Sequence, residues 1–362
     1  MRQNHVLSIH KSPFPHFTSP LHIFFSQPAG IPCTLFFLLK PAHAAERPNT
    51  PSQLLPCPQN TRLAQLEKLC YRLKKNADER TGWANMKKIF SKNAQYQKFE
   101  VLQSNRNKRY KYKEFLVEGV RNLNEARRSG WEFSSLLYTD EVPLSGWARE
   151  FLANVKTQEN FILTHELLQE LSRKDDASEL MAVVKMREDS FDTLALPENP
   201  LLAVFDRPSN RGNLGTLIRS CDALGVNGLL VTGHAVDLYD PEVVTSGMGS
   251  FFRMPAVRLS DNAQVKAAIE SLRNRYPGFR VIATTAHKQT PIYEEKLDGP
   301  CLVMIGNETE GLCRAFYDLA DTTVSIPMAP TSSASSFNVS CAATVVLYEI
   351  IRQRQKAGNA GW

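Results

Sequence analysis

Residues 301–312 read CLVMIGNETEGL, an apolar strand-like run followed directly by a polar loop with two glycines and two glutamates. The run belongs to a regular alternation of predicted segments, with strands at 201–205, 228–231, 280–284, 301–305 and 323–326 and helices around 214–223, 263–275, 312–320 and 337–354. Such alternation favours an α/β fold in which helices cover both faces of a parallel sheet. We therefore expect residues 200–356 to form one domain that binds its ligands beyond the carboxyl ends of the strands.

Three polar segments follow the predicted strands of this domain. The first, DRPSNRGNLGTLIR at 206–219, contains glycines that allow the backbone to approach a ligand closely. The second is GNETEGL at 306–312, and the third, SSFNVSCAA at 335–343, starts a long apolar helix. Taken singly, each has an ordinary structural explanation, such as a surface arginine, a carboxylate that favours the helix dipole, or an N-cap.

Together, and in this order, the three segments resemble the motifs of the SpoU or TrmH-like branch of the SPOUT RNA methyltransferases. The resemblance covers about residues 201–354. It implies a C-terminal trefoil knot, a homodimer, S-adenosylmethionine as the cofactor, and ribosomal or transfer RNA as the substrate. The reaction that it implies is methyl transfer to a ribose 2′-hydroxyl.

By motif position, the resemblance implies five catalytic residues: Asn213, Arg219, Glu308, Ser336 and Asn338. It also implies four positions that bind the cofactor: Thr285, Gly306, Ile326 and Phe337. Phe337 replaces the usual leucine, and the 329–334 loop is slightly longer than is typical. Because the pKa of an arginine exceeds about 12, we expect Arg219 to bind a backbone phosphate and assist proton removal indirectly, while the other four residues orient the reacting groups.

Upstream, the sequence predicts a smaller α/β domain at residues 96–195, followed by a linker at 197–200, where two prolines break both helix and strand. Its strands are expected at 135–138, 161–163 and 180–185, and its helices at 120–128 and 166–172. Residues 115–121, FLVEGVR, resemble part of the substrate-binding domain, similar to ribosomal protein L30e, that often precedes the methyltransferase domain.

Positive charge is concentrated in residues 61–128, which carry eighteen Lys/Arg and seven acids, a net +11, whereas residues 129–362 carry a net −8. Leucines at helical spacing from 61 to 75 predict a basic amphipathic helix within a helical extension at 61–95. At 105–113 cations alternate with tyrosines, a combination that can hold phosphates and stack on bases. This segment supplies the expected RNA-binding residues: Arg106, Lys108, Arg109, Lys111 and Lys113.

Residues 1–60 hold many prolines and no acidic residue before Glu46, so we expect no packed core there. The segment is disordered, a targeting peptide, or an artefact of an early start codon. A cytoplasmic location is favoured, with a mitochondrion or plastid as the alternative. The longest apolar run, 34–39, is far shorter than the roughly 20 residues that span a bilayer, so no membrane partner is expected. The seven cysteines form no C-x-x-C pair, and no metal site is expected.

Three other functions compete with this interpretation. Other SPOUT branches methylate guanine bases rather than riboses. A non-catalytic RNA-binding or ribosome-assembly factor could use the basic segment alone. A nicotinamide dehydrogenase is disfavoured, because the spacing of Gly212 and Gly215 does not match the G-x-G-x-x-G fingerprint of dinucleotide-binding folds.

Overall fold

The computed structural model describes residues 86–172, 174–188 and 190–358. The predictions for residues 1–60 and for the amphipathic helix at 61–75 therefore lie outside the described residues. The described chain contains one β-sheet of five strands and one of seven. Within it, no helix has both the length and the apolar character needed to cross a membrane.

The small domain is built on the five-stranded sheet. Its strands are β1 (Met86–Ile89), β2 (Glu114–Glu118), β3 (Phe133–Tyr138), β4 (Glu159–Leu163) and β5 (Leu180–Lys185). Its helices are α1 (Ala94–Ser104), α2 (Arg106–Tyr112), α3 (Val120–Arg128), α4 (Gly146–Asn154) and α5 (His165–Leu171). The strand order is β1-β4-β3-β5-β2, in which β5 pairs antiparallel with both of its neighbours and the other pairs are parallel.

Strand β1 corrects one prediction. Residues 86–89 form an edge strand that pairs with β4, so the expectation of a helical extension up to residue 95 is wrong for them. Two lysines fill the centre of this four-residue strand, which hides the apolar pattern and is a common way to protect a sheet edge. Helix α1 then begins at Ala94, where the side chain of Asn93 accepts a hydrogen bond from the backbone N–H of Tyr96.

The seven-stranded sheet confirms the predicted parallel α/β domain. Its strands are β6 (Leu201–Asp206), β7 (Gly228–Thr232), β8 (Ala256–Leu259), β9 (Arg280–Thr285), β10 (Thr290–Pro291), β11 (Cys301–Ile305) and β12 (Thr322–Ser325). Its helices are α6 (Arg211–Ala223), α7 (Pro241–Ser246), α8 (Asn262–Arg275), α9 (Arg314–Tyr317) and α10 (Val339–Lys356). All strand pairs are parallel, in the order β10-β12-β9-β11-β6-β7-β8.

The centre of this sheet positions the loops that matter for function. Strands β6 and β11 are buried along their whole length, as expected for central strands of a parallel sheet with both faces covered. Because β6 and β11 are neighbours, the loops that leave their carboxyl ends lie side by side. Helix α6 follows the first of these loops and packs tightly on α7: a Cβ at Gly215 would lie 2.5 Å from Ser246 Cβ and 2.6 Å from the carbonyl oxygen of Val243.

Candidate active site

Glu308 joins the second polar segment to the first. Its Oε2 accepts hydrogen bonds from the backbone N–H and the hydroxyl of Ser209, at 2.9 and 2.8 Å. Its Oε1 accepts from the backbone N–H of Asn210 at 3.1 Å and from the side-chain amide of Asn213 at 3.2 Å. A carboxylate offers about four lone-pair sites. These four contacts match that number, so the carboxylate is committed to the protein as an acceptor.

Asn213 continues this connection to the third polar segment. Its Oδ1 accepts a hydrogen bond from Asn338 Nδ2 at 3.0 Å, and its backbone carbonyl accepts one from Ser340 Oγ at 2.8 Å. Asn338 is also the N-cap of α10, because its Oδ1 accepts from the backbone N–H groups of Ser340 and Cys341. The structure thus brings Glu308, Asn213 and Asn338 into one continuous hydrogen-bonded chain.

The hydrogen bonds to Glu308 also govern its charge. Partial burial acts to raise the pKa of this carboxyl. The N–H and hydroxyl of Ser209, the backbone N–H of Glu308 itself and the amide of Asn213 outweigh that effect and hold the pKa below its ordinary value of 4.5. The ionised carboxylate lies at the N-terminus of α6, where the helix dipole favours negative charge. A carboxylate with a lowered pKa is a weak base, so the chemistry of Glu308 is that of a structural acceptor.

A cavity of about 720 Å³ opens beside this hydrogen-bonded chain. All four residues predicted to bind the cofactor line it: Thr285, Gly306, Ile326 and Phe337. Two of the predicted catalytic residues, Glu308 and Ser336, line it as well. Its volume is within the range of roughly 300–1,000 Å³ that is typical of small-molecule sites. The structure therefore places the predicted cofactor positions together and next to the motif residues.

Backbone forms one wall of this cavity. A Cβ at Gly306 would lie 2.2 Å from the backbone nitrogen of Leu312 and 2.3 Å from the carbonyl carbon of Gly311, so only glycine fits there. The loop folds back on itself, and Asn307 and Gly311 exchange backbone hydrogen bonds. Other walls combine apolar side chains, such as Val346, with polar groups. This mixture fits S-adenosylmethionine, which carries both an adenine ring and a charged amino-acid group.

Arg207 is a residue of the site that the sequence did not single out. It adopts a left-handed backbone conformation with φ of 49°, and its guanidinium pairs with buried Asp206 and with Glu310. Its carbonyl oxygen accepts a hydrogen bond from Asn307 Nδ2 at 2.6 Å. Arg207 therefore ties the loop after β6 to the loop after β11. The sequence signal that could have identified Arg207 is its position directly after an acid at the carboxyl end of a buried strand.

Two of the five predicted catalytic residues lie outside the hydrogen-bonded chain. Arg219 is exposed on α6 and makes no hydrogen bond or ion pair with any residue that the structure describes. Six residues correspond to a rotation of about 240° around a helix, so its side chain leaves α6 on a different face from Asn213. Ser336 is exposed at the rim of the cavity. Both side chains are accessible to a substrate.

The structure contradicts one of the five predicted RNA contacts, four of which lie on α2 and one, Lys113, at its C-cap. Arg109 is only 1% exposed, and its guanidinium pairs with Asp237 and Asp240 of the parallel-sheet domain. A cation that is paired inside the protein cannot reach a phosphate, so Arg109 has a structural role. The cations predicted to form one basic surface therefore lie on different sides of the helix, and Arg109 is on the side that faces the protein.

The other four cations of that segment stay predictions. Lys111 and Lys113 are exposed, and Lys108 is half-buried. Arg106 is also half-buried, and its Nη1 donates a hydrogen bond to the carbonyl oxygen of Ala235 at 3.0 Å. Part of its guanidinium is thus committed to the contact between the domains.

The described residues show no metal centre, and two of their thiols are held in the protonated form. In this part of the chain, no group of three or more His, Cys, Asp or Glu side chains is arranged to hold a metal ion. The cysteines described there, Cys221, Cys301, Cys313 and Cys341, are free. Burial raises the pKa of Cys301 to about 11 and that of Cys221 further, which keeps both as thiols.

Three interlocked loops at the strand ends of a parallel sheet, beside a cavity that suits S-adenosylmethionine, define an α/β methyltransferase preceded by a small α/β domain. Comparison with known proteins identifies the family to which this chain belongs. Residues 200–348 match the SpoU rRNA Methylase family, and residues 93–182 match the SpoU L30e-like domain. The chain belongs to the SpoU methylase family. It is an enzyme that uses S-adenosylmethionine to methylate RNA on ribose 2′-hydroxyls.

Individual relatives agree with this assignment. Over 277 residues the chain is 45% identical to the 23S rRNA (uridine(2479)-2′-O)-methyltransferase of Streptomyces viridochromogenes. The alignment covers 76% of this chain and 95% of the relative. The crystal structure of the SpoU methyltransferase AviRb from that organism, in complex with AdoMet, matches with a TM-score of 0.70 at 44% identity over 73% of this chain and 99% of AviRb. A crystal structure of an RNA 2′-O ribose methyltransferase matches with a TM-score of 0.63 at 30% identity, over 74% and 100% of the two chains.

Proposed function

We propose that this enzyme methylates a ribose 2′-hydroxyl of large-subunit ribosomal RNA. The choice of RNA is supported by the Streptomyces relative, which is named for that reaction on 23S rRNA. The roles of the residues rest on one observation, the hydrogen-bonded chain of Glu308, Asn213 and Asn338 beside the cavity. This chain holds three polar loops in a single arrangement at the place where the cofactor is expected.

In the cavity, S-adenosylmethionine would supply an electrophilic methyl group. Four residues that line the cavity would hold it: Thr285, Gly306, Ile326 and Phe337. A ribose hydroxyl is a poor nucleophile until it loses its proton, and methyl transfer needs the acceptor oxygen held in line with the donor carbon. The protein therefore has to orient the hydroxyl and stabilise the negative charge that develops on its oxygen.

Arg219 and Ser336 are the groups available for that task. We assign Arg219 to a backbone phosphate beside the target ribose, because a guanidinium keeps its charge and is a poor base. The Ser336 hydroxyl, at the rim of the cavity, would orient the ribose hydroxyl. Asn213, Glu308 and Asn338 act as positioning residues behind them, since their polar groups already bind one another.

The RNA would be held outside the site by helix α2. Lys111 and Lys113 extend into solvent, and Lys108 is half-buried beside them. Tyr112 is 40% exposed, with Lys98 Nζ 5.3 Å from its ring centre. An exposed aromatic ring flanked by cations can stack on a base while the cations bind phosphates. This arrangement supports a phosphate-binding role for α2 on the side away from Arg109.

The homodimer and the trefoil knot that the family resemblance implies are further parts of this proposal. On α10 an exposed stripe runs along one helix face through Cys341, Val345 and Tyr348, of which the last two are 42% and 59% exposed. A second copy of the chain would cover these apolar groups. We expect Tyr348→Lys to convert a dimer into a monomer in light scattering after gel filtration.

The favoured cytoplasmic location also stays a proposal, since residues 1–60 lie outside the described part.

The direct test is to incubate the enzyme with S-adenosylmethionine and RNA from cells that lack the gene. Ribonuclease digestion and mass spectrometry should then find one new 2′-O-methylnucleotide in large-subunit RNA. A methyl group on a base would support the guanine alternative, and modification of transfer RNA alone would contradict the proposed substrate. Binding of the cofactor without methylation of any RNA would point to an assembly factor.

Arg219→Ala tests the assignment of the phosphate contact. Loss of a group that aligns the substrate should lower kcat by about a hundredfold, with cofactor affinity in calorimetry unchanged. Arg275→Ala serves as the matched control, because Arg275 is an exposed arginine at the end of a different helix, α8. Wild-type turnover of the Arg219 variant on the native RNA would rule out this role.

A further inference from the structure

The two domains share one apolar core. Phe115 of β2 packs against three aromatic residues of the parallel-sheet domain, with ring centres 4.9 Å from Tyr239, 5.8 Å from Phe251 and 6.4 Å from Phe252. Trp131 of the small domain donates a hydrogen bond from Nε1 to the carbonyl oxygen of Phe252 at 2.9 Å. The small domain is therefore packed in a defined orientation and is not held by the linker alone.

Arg109 adds a buried charge to this contact. Its Nε lies 2.7 Å from Asp237 Oδ2, and its Nη2 lies 3.4 Å from Asp240 Oδ2. Its Nη1 donates to the carbonyl oxygens of Leu102 and Gln103, at 2.9 and 3.0 Å. A buried cation is tolerated only where partners compensate it. Because both carboxylates belong to the other domain, the pairing favours one orientation of the two domains.

Asp240 also contacts the helix that carries the site. Its Oδ2 lies 3.1 Å from Nε of Arg211, the first residue of α6 and two residues before Asn213. Its Oδ1 accepts a hydrogen bond from the backbone N–H of Glu242 at 3.0 Å and so caps α7. One carboxylate therefore joins the basic helix α2 of the small domain to the start of α6.

We propose that Asp240 is a positioning residue that sets the distance between α2 and the methyl-transfer site, and thereby selects the nucleotide that is methylated. This inference rests on the proposed function, in which the lysines of α2 hold the RNA. When the two domains are held in one orientation, the distance between α2 and the methyl-transfer site is fixed. Only a ribose that lies at the matching distance along the RNA from the part bound by α2 can then enter the site. Misplacement of about 1 Å can lower a rate by about a hundredfold, so a fixed spacing between the domains can discriminate between neighbouring riboses.

Asp240→Asn is the first test. It preserves the size of the side chain and one acceptor oxygen, but removes the charge that Arg109 and Arg211 share. We expect kcat/KM on full-length ribosomal RNA to fall about tenfold and methylation to spread to riboses beside the native one. Cofactor affinity in calorimetry should stay within about twofold of wild type.

A second variant guards against misfolding. Arg211→Gln changes a side chain that is 53% exposed, so it cuts the connection to α6 without disturbing the buried pair. It should cause the same spread of methylation with unchanged thermal unfolding. Glu242→Gln is the matched control, since Glu242 contacts Arg211 only at 3.8 Å and its side chain does not reach Arg109. That variant should methylate the native ribose at the wild-type rate.

The position of the methyl groups is the decisive measurement, because loss of stability lowers the amount of methylation without moving it. If Asp240→Asn and Arg211→Gln both methylate only the native ribose, the proposal is overturned, whether their rates are normal or reduced. If wild-type enzyme methylates no RNA at all, the proposed function fails instead. Spread of methylation in both variants, and not in the control, supports the selection of the nucleotide by distance.

Discussion

Helix α2 and the three polar segments that follow strands of the parallel sheet are all rich in polar residues predicted to bind ligands, yet the fold uses them differently. In the three polar segments, Glu308, Asn213 and Asn338 meet one another, because the carboxyl ends of parallel strands share one edge of the sheet. In α2, Arg109 faces the protein and Lys111 faces solvent. Strand ends that converge in a sheet therefore predict proximity between residues. A run of cations on a helix predicts net charge, but not which cations are available.

The strongest test of this contrast is Arg109→Met. Loss of the guanidinium leaves Asp237 buried without a countercharge and Asp240 paired only with half-exposed Arg211, so the free energy of unfolding should fall by about 3–5 kcal/mol. Urea denaturation followed by circular dichroism measures the change. Lys111→Met on the exposed face of the same helix should alter stability by less than about 0.5 kcal/mol. Equal losses in the two variants would break the distinction between the faces of α2.

Glu308→Gln probes the three polar segments. The amide keeps the shape of the side chain but presents an NH₂ group to Ser209 or to Asn213, both of which are donors. The loops should shift, and kcat should fall about tenfold while the affinity for S-adenosylmethionine changes little. Glu270→Gln, which changes an exposed carboxylate on α8, should retain full activity. Normal turnover of Glu308→Gln would show that the three loops keep their arrangement without this charge.

A smaller expected effect is a dependence of the free energy of unfolding on pH. Because the folded-state pKa of Glu308 lies below 4.5, its contribution to stability is fully present above that value and is lost as the pH falls through the lowered pKa. The stability difference between wild type and Glu308→Gln should therefore shrink between about pH 5 and pH 3. Denaturation curves at several pH values measure it. A difference that stays constant over this range would contradict the lowered pKa.

The smallest expected effect belongs to Lys111→Gln. Loss of one phosphate contact should weaken RNA binding about equally for all sequences and lower the slope of log affinity against log salt by up to about one. Filter binding at several salt concentrations gives this slope. Lys266→Gln on α8 is the control, since that lysine is exposed in the other domain. If both variants have the wild-type slope, α2 does not hold the RNA through Lys111.

The central part of the fold could be predicted because its sequence pattern is strong. Strands β6 and β11 are continuous apolar runs, which a strand buried on both faces requires. Edge strands carry a weaker signal: β1 reads MKKI, β8 reads AVRL, and β10 has two residues. None of these three was predicted. Short strands of this kind are stabilised mainly by the neighbour they pair with, and a neighbour cannot be seen locally in the sequence.

The candidate site was predictable to the same extent. The loops after β6 and β11 contain their own glycines and acids, so the family resemblance could be matched there by position and could assign roles to Gly306 and Glu308. The role of Arg207 depends on a left-handed backbone and on Glu310, which is more than a hundred residues away. The burial of Arg109 depends on two aspartates of the other domain. Contacts of this kind follow from tertiary packing and leave no local pattern.

The pairing of Arg109 with Asp237 has a consequence for how the chain is made. The two residues are 128 positions apart, so Arg109 leaves the ribosome long before its partner is synthesised. At roughly 5–20 residues per second, the delay is on the order of 6 to 25 seconds. During that time the arginine is hydrated, and the surface of the small domain around it stays open. The small domain can therefore form its own sheet early, but the core that Phe115 shares with Tyr239, Phe251 and Phe252 is complete only after the chain through Phe252 has emerged.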